Sequence, residues 1–169
     1  MLNYLLISTV GISLYTDIKY RKIFNAVTLP GMLIAFAYHG MTGGTEGILF
    51  SLKGLLLGGG LFLLPFIMGG LGAGDVKLLA TVGALKGPHF VLQVFLTTAL
   101  IGGLITGVIL AKEGRLLSTL KRMFLSLFYF LFSKTKMSYL NHRHIEAEGS
   151  FPYGLAIALG TLFSILWVR

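Results

Sequence analysis

Six apolar runs separated by short polar links leave this chain few folds to choose from. They are roughly Leu2 to Thr16, Ala26 to Tyr38, Gly47 to Gly69, Gly74 to Leu85, Phe90 to Ala111 and Phe151 to Val168. About 20 apolar residues cross the hydrocarbon of a bilayer, where a lone segment must close its own backbone hydrogen bonds, so runs of this kind predict helices. The third, fifth and sixth are long enough to span outright. The first, second and fourth are short. At about 1.5 Å per residue the fourth covers less than a bilayer, so it is expected either to be buried in protein or to lie where the membrane is thinned. The predicted fold class is therefore an all-α integral membrane protein, a bundle of about six transmembrane helices forming a single domain over residues 1–169.

Charge sets the orientation. The net charge is +8, although only 12% of the residues are charged and 55% are hydrophobic. In a soluble protein that excess would suggest nucleic acid. Here the Lys and Arg cluster between apolar runs, as juxtamembrane anchors do, so the expected partner is the lipid bilayer and no nucleic acid. Lys19, Arg21 and Lys22 follow the first run and seven further Lys and Arg fall between 112 and 150, whereas "HGMTGG" after the second run has none. Six crossings with the basic loops inside put both termini outside and place Asp17 and Asp75 on the same, cytoplasmic, side of the cell membrane.

Smaller features fill in the outline. The first run lacks a basic stretch before it and reads as a retained helix. Residues 112–132 put Arg115, Ser118, Arg122 and Ser126 on one stripe, which predicts an amphipathic helix in the interface; the competing reading is a seventh crossing from Met123. Gly54 with Gly58 and Gly103 with Gly107 predict close helix approach. Pro65 predicts a kink, and Ser150 before Pro152 a helix start. With no cysteine in the chain, disulfides and thiolate metal sites are ruled out.

Asp17 and Asp75 are the only aspartates. An ionisable side chain at membrane depth costs about 2.5–3.5 kcal/mol on insertion scales, so it points to a functional site. Each also has a plain structural reading, Asp17 ending the first helix and Asp75 starting the fourth. The macrodipole favours Asp75 in that place and disfavours Asp17. If the two meet around one water, repulsion in a low dielectric makes them share a proton. The ionised member can then take a proton from water while the other donates to a scissile carbonyl. Gly72 and Gly74, lacking Cβ atoms, would let an extended substrate pass beside Asp75. No metal or other cofactor is required. The histidines, His39, His89, His142 and His144, are placed in loops, and "HRH" makes a poor metal site. Two other readings use the same carboxylates: a small channel or transporter with a proton relay, and a Mg²⁺-dependent enzyme of lipid-linked phosphate chemistry.

Three runs carry a resemblance. "GAGDVKLLATVGALKG" resembles the GxGD segment of the type IV prepilin peptidases, "TDIKYRKIFNAVTLP" their first catalytic segment, and "FPYGLAIALG" their closing helix. The resemblance implies that Asp17 and Asp75 are the catalytic acids of an intramembrane-type aspartic endopeptidase. It also implies that Asn25 fills the family's acid or amide position and Lys77 matches its GxGD segment. The substrate would be a prepilin of type IV or Flp-like kind, losing its short basic leader on the cytoplasmic side. Phe24 and Leu155 stand where the family has prolines. The cysteine-bearing insertion of larger members is missing, which suggests the short, peptidase-only branch without methyl transfer. Lys77, two positions from Asp75, is expected to point away from it and snorkel to headgroups.

Overall fold

Four α-helices follow one another in the computed structural model: α1 (Leu2–Tyr20), α2 (Asn25–Ile67), α3 (Ala73–Lys112) and α4 (Tyr153–Trp167). The structure describes residues 2–67, 70–112 and 153–167, with isolated positions at 114, 118, 121 and 125, and among the described residues there is no strand. The interfacial helix expected over 112–132, the polar loop after it, the helix start at Ser150, His142 and His144 fall, but for those isolated positions, outside the described residues. By length and composition α2 and α3 can each cross a membrane.

Two of these helices are interrupted by glycine. Gly44 (φ 58°, ψ −136°) breaks α2 and Gly87 (φ 83°, ψ 179°) breaks α3, conformations that a side chain would oppose. The chain doubles back at Gly44, since a Cβ on Gly47 would fall 1.9 Å from the His39 carbonyl oxygen and the His39 and Phe50 rings are 5.2 Å apart. The helical stretches that result, 2–20, 25–43, 45–67, 73–86, 88–112 and 153–167, track the apolar runs of the sequence. Pro65 remains within α2, whose one residue with non-helical dihedrals is Gly44.

The chain divides into two compact units, Met1–Gly103 with Pro152–Arg169, and Leu104–Phe151. At the centre of the first lies the short 73–86 stretch. Leu78 to Leu85 are buried without a gap, so the fourth run is sheathed in protein, one of the two fates its length allows, and its apolar residues need no polar face. Glycine makes the sheath tight. A Cβ on Gly54 would stand 2.0 Å from the Gly83 carbonyl oxygen, and one on Gly58 would stand 2.5 Å from that of Leu79. Between apolar helices in lipid, attraction comes from close packing and interhelical hydrogen bonds. Ser51 Oγ accordingly donates to the Ala84 carbonyl (2.8 Å) and the Nε2–H of His39 to that of Leu85 (3.1 Å). His39 and His89 thus sit in helices, not in the loops expected of them, because α2 and α3 run further than their apolar cores.

Around this centre α1 packs against α2 and α4. Gly160 of α4 lies on Thr98 of α3, and Thr97 Oγ1 donates to the Gly160 carbonyl (3.2 Å). The other glycine pair behaves differently from expectation. Among the described residues, nothing lies within 4 Å of a Cβ placed on Gly103 or Gly107, so that spacing brings no described helix close. In the second unit α3 ends at Lys112, and Gly114 (φ 67°) closes it with its N–H on the Ala111 carbonyl (3.2 Å), as left-handed glycines do past a helix end.

Candidate active site

One end of the first unit gathers the end of α1 and the starts of α2, α3 and α4. α1 runs past its apolar stretch to Tyr20, which puts Asp17 inside its last turn. Arg21 then closes the helix in a left-handed conformation (φ 52°), its N–H on the Asp17 carbonyl (2.8 Å). Glycine would adopt that conformation more readily.

Asp75 lies in the first turn of α3 and is 8% exposed. Its N–H donates to the Gly72 carbonyl (3.1 Å), and the Gly72 N–H donates back to Asp75 Oδ2 (3.0 Å). This is half of a capping box, with glycine as the cap and a carboxylate three residues on reaching back to it. The GxGD run therefore has a local reason to fold as it does: a first helical turn needs acceptors for its free N–H groups. A Cβ on Gly72 would stand 3.3 Å from Asp75 Oδ2, so a side chain there would press on the carboxylate.

Asp17 is half-buried, and its Oδ2 accepts the N–H of Gly154 (3.0 Å), in the first turn of α4. Asp17 sits at the wrong end of its own helix dipole. The fold supplies the right end of another, because the free N–H of Gly154 in the first turn of α4 points at it. Arg21 also acts on Asp17 electrostatically. The two carboxylates, remote in sequence, are near enough for the charge of Asp17 to act on Asp75.

The other expected residues lie nearby in part. Lys77 and Asn25 meet: the Lys77 ammonium donates to Asn25 Oδ1 (2.9 Å), which ties α3 to the start of α2 and gives the lysine a protein partner in place of the headgroups expected for it. The room at Gly74 is taken by the chain itself. A Cβ there would stand 2.9 Å from that of Ile23, in the link between α1 and α2, so this glycine lets Ile23 in where a passing substrate was expected. Among the described residues no three His, Cys, Asp or Glu side chains gather as a metal site would require.

Gly154 and Ile23 escaped the sequence reading of the site. A Cβ on Gly154 would fall 2.6 Å from Asp17 Oδ2, so only glycine leaves the carboxylate where it is. The signal was available in "FPYG", a glycine one step inside a helix start where a more helix-favouring residue would be expected.

An all-helical membrane protein with two interacting carboxylates at one end of its bundle is the class that fold and site define. The chain belongs to the type IV leader peptidase family, whose model matches residues 4–131, and is therefore a peptidase. The matched residues include Asp17, Asn25, Gly72, Gly74, Asp75 and Lys77, and stop short of α4. No curated protein and no solved structure matches the chain.

Proposed function

We propose that the chain is an aspartic endopeptidase that removes the short basic leader from prepilins, of type IV or Flp-like kind, at the cytoplasmic face of the cell membrane. The observation that carries this reading is the placement of Asp17 and Asp75 at one end of the unit, each with one carboxylate oxygen held by a helix-start N–H and Asp75 within reach of the charge of Asp17. The six helical stretches are taken as crossings, with the basic link between α1 and α2 inside.

The chemistry then needs only these two groups and a water. Like charges this close in a poorly solvated site share one proton. The ionised carboxylate takes a proton from water as its oxygen attacks the scissile carbonyl carbon, and the protonated partner gives its proton to the carbonyl oxygen. The tetrahedral diol collapses as the C–N bond breaks: the first carboxyl passes its proton to the leaving nitrogen while the second, now ionised, takes the proton of a diol hydroxyl, which restores the starting pair. The N–H groups of Gly154 and Gly72 fix the direction of each carboxylate before the substrate arrives, the kind of preorganisation that spares reorganisation during reaction.

Co-expression of the chain with a prepilin-like substrate, read as leader loss by mass, tests the proposal. A single cut with rate unchanged by excess chelator is expected, because no step uses a metal. Loss of cutting on chelation, restored by Mg²⁺, would instead support the metal-dependent reading of the same carboxylates.

A further inference from the structure

Residues 21–24 carry the chain from the end of α1 to the start of α2, and of these four Ile23 alone is not exposed. A loose link would leave its two helices some play, but this one is fixed at both ends. Its first residue is closed onto α1 by the Arg21 N–H on the Asp17 carbonyl (2.8 Å). Its last begins α2, the Phe24 carbonyl accepting the N–H groups of Val27 (3.0 Å) and Thr28 (3.4 Å), as the residue before a helix does. The Tyr20 and Phe24 rings meet edge-on across the link, 5.8 Å apart. Asn25, the next residue, receives the Lys77 ammonium of α3 (2.9 Å).

Ile23 therefore reaches α3 from a fixed base. It packs on the hydrophobic core and comes up against Gly74, the residue before Asp75: a Cβ on Gly74 would stand 2.9 Å from Ile23 Cβ and 3.4 Å from both its Cγ1 and its backbone nitrogen. A side chain branched at Cβ has little freedom about χ1, so isoleucine acts there as a stiff spacer. The same three helices also meet deeper in the bundle, at Gly31 of α2, where an added Cβ would stand 2.9 Å from Thr81 Cγ2 of α3 and 3.5 Å from Thr9 Oγ1 of α1. Helices held at one meeting point can pivot, and the pivot moves their ends most. Asp17 and Asp75 are at those ends, and Ile23 on Gly74 supplies the second point of support.

We propose that Ile23 is a positioning residue: seated on Gly74 from a link whose first N–H is bonded to the Asp17 carbonyl, it sets the distance between Asp17 and Asp75. Residues that carry chemistry are held in place by others whose own freedom is removed by packing, and small losses of that support are felt in rate before they are felt in binding. Ile23 acts through the backbone on either side of it and touches neither substrate nor water. The proposal rests on the carboxylate-pair reading.

Wild type, Ile23→Ala, Ile23→Val and Gly74→Ala are compared on one prepilin-like substrate, and distance is read separately by linking Asp17→Cys to Asp75→Cys with a short and a longer bifunctional thiol reagent, with Ile23 in place and with Ile23→Ala. Ile23→Ala is expected to lower kcat about tenfold with KM within about twofold, while Ile23→Val, which keeps the branch, retains the wild-type kcat. Gly74→Ala, which pushes the link off α3 from the other side, should also lower kcat and spare KM. In the cysteine pair, Ile23→Ala should lose linking by the short reagent and keep it with the longer one, a shift in distance that mere loss of stability would not produce. An unchanged kcat in Ile23→Ala, a fall in kcat while the short reagent links as before, or a loss of linking shared by both reagents overturns the positioning role and leaves the carboxylate pair standing. A raised KM with kcat retained in Gly74→Ala overturns it too, since that marks blocked substrate passage. Cysteines that label singly yet link with neither reagent while Ile23 is in place overturn the pair itself, and the role of Ile23 with it.

Discussion

Asp17→Asn and Asp75→Asn should each lower leader removal by about 10²–10⁴-fold, the range that one general acid or base contributes. Asparagine keeps a carbonyl oxygen that can accept from Gly154 or Gly72, so the helix-start hydrogen bonds that now engage the two carboxylates survive in weaker form. What is lost is the ability to take or give a proton. Both variants should therefore stay folded in the membrane, which separates a chemical role from the capping role that Asp75 also fills. The double variant should be hardly worse than either single one, because groups that act as a unit give non-additive losses. A role in structure alone predicts the reverse: cutting preserved and stability reduced.

The second large effect falls on a residue with no functional group. Gly154→Ala puts a methyl 2.6 Å from Asp17 Oδ2 and 3.1 Å from the Asp17 Cβ. The nearer atom is the far end of a side chain, so the carboxylate can swing aside at little cost to the fold. Activity bears the cost, since misplacement of a reacting group by about 1 Å can cost about 10²-fold. We expect kcat to fall by about that factor with the melting temperature nearly unchanged. Two other glycines give the contrast. Gly83→Ala drives its methyl to 2.0 Å from the Gly54 carbonyl oxygen, a backbone atom that cannot step away, and should cost stability before activity; Gly103→Ala meets no described atom and should change neither. If Gly154→Ala loses stability in step with activity, its effect is on packing and the positioning argument fails.

The all-helical class was legible in the sequence because apolar runs in lipid have helices as their outlet, and the burial of 73–86 was one of the two outcomes that a run too short to span allows. The breaks at Gly44 and Gly87 stood in glycine-bearing links, "MTGG" and "KGPH", whose exact turning residue no periodicity could choose. What the sequence could not supply was which helix start faces which side chain. The dipole argument for Asp17 considered only its own helix and so missed α4, whose Gly154 is distant in sequence and adjacent in space. The same limit explains Gly74, where a glycine reads as open room until Ile23 is seen to occupy it. It also explains Lys77, for which helical geometry gave a direction but not the Asn25 carbonyl that receives it.

The pairing of Asp17 and Asp75 can be measured directly because the chain contains no cysteine. Asp17→Cys with Asp75→Cys introduces two thiols and no others. A short bifunctional thiol reagent should join them within one chain, while Asp17→Cys combined with Thr42→Cys, beside the Gly44 break at the far end of the first stretch of α2, should not be joined. Two thiols that each label singly yet never link in the Asp17–Asp75 pair would contradict the account.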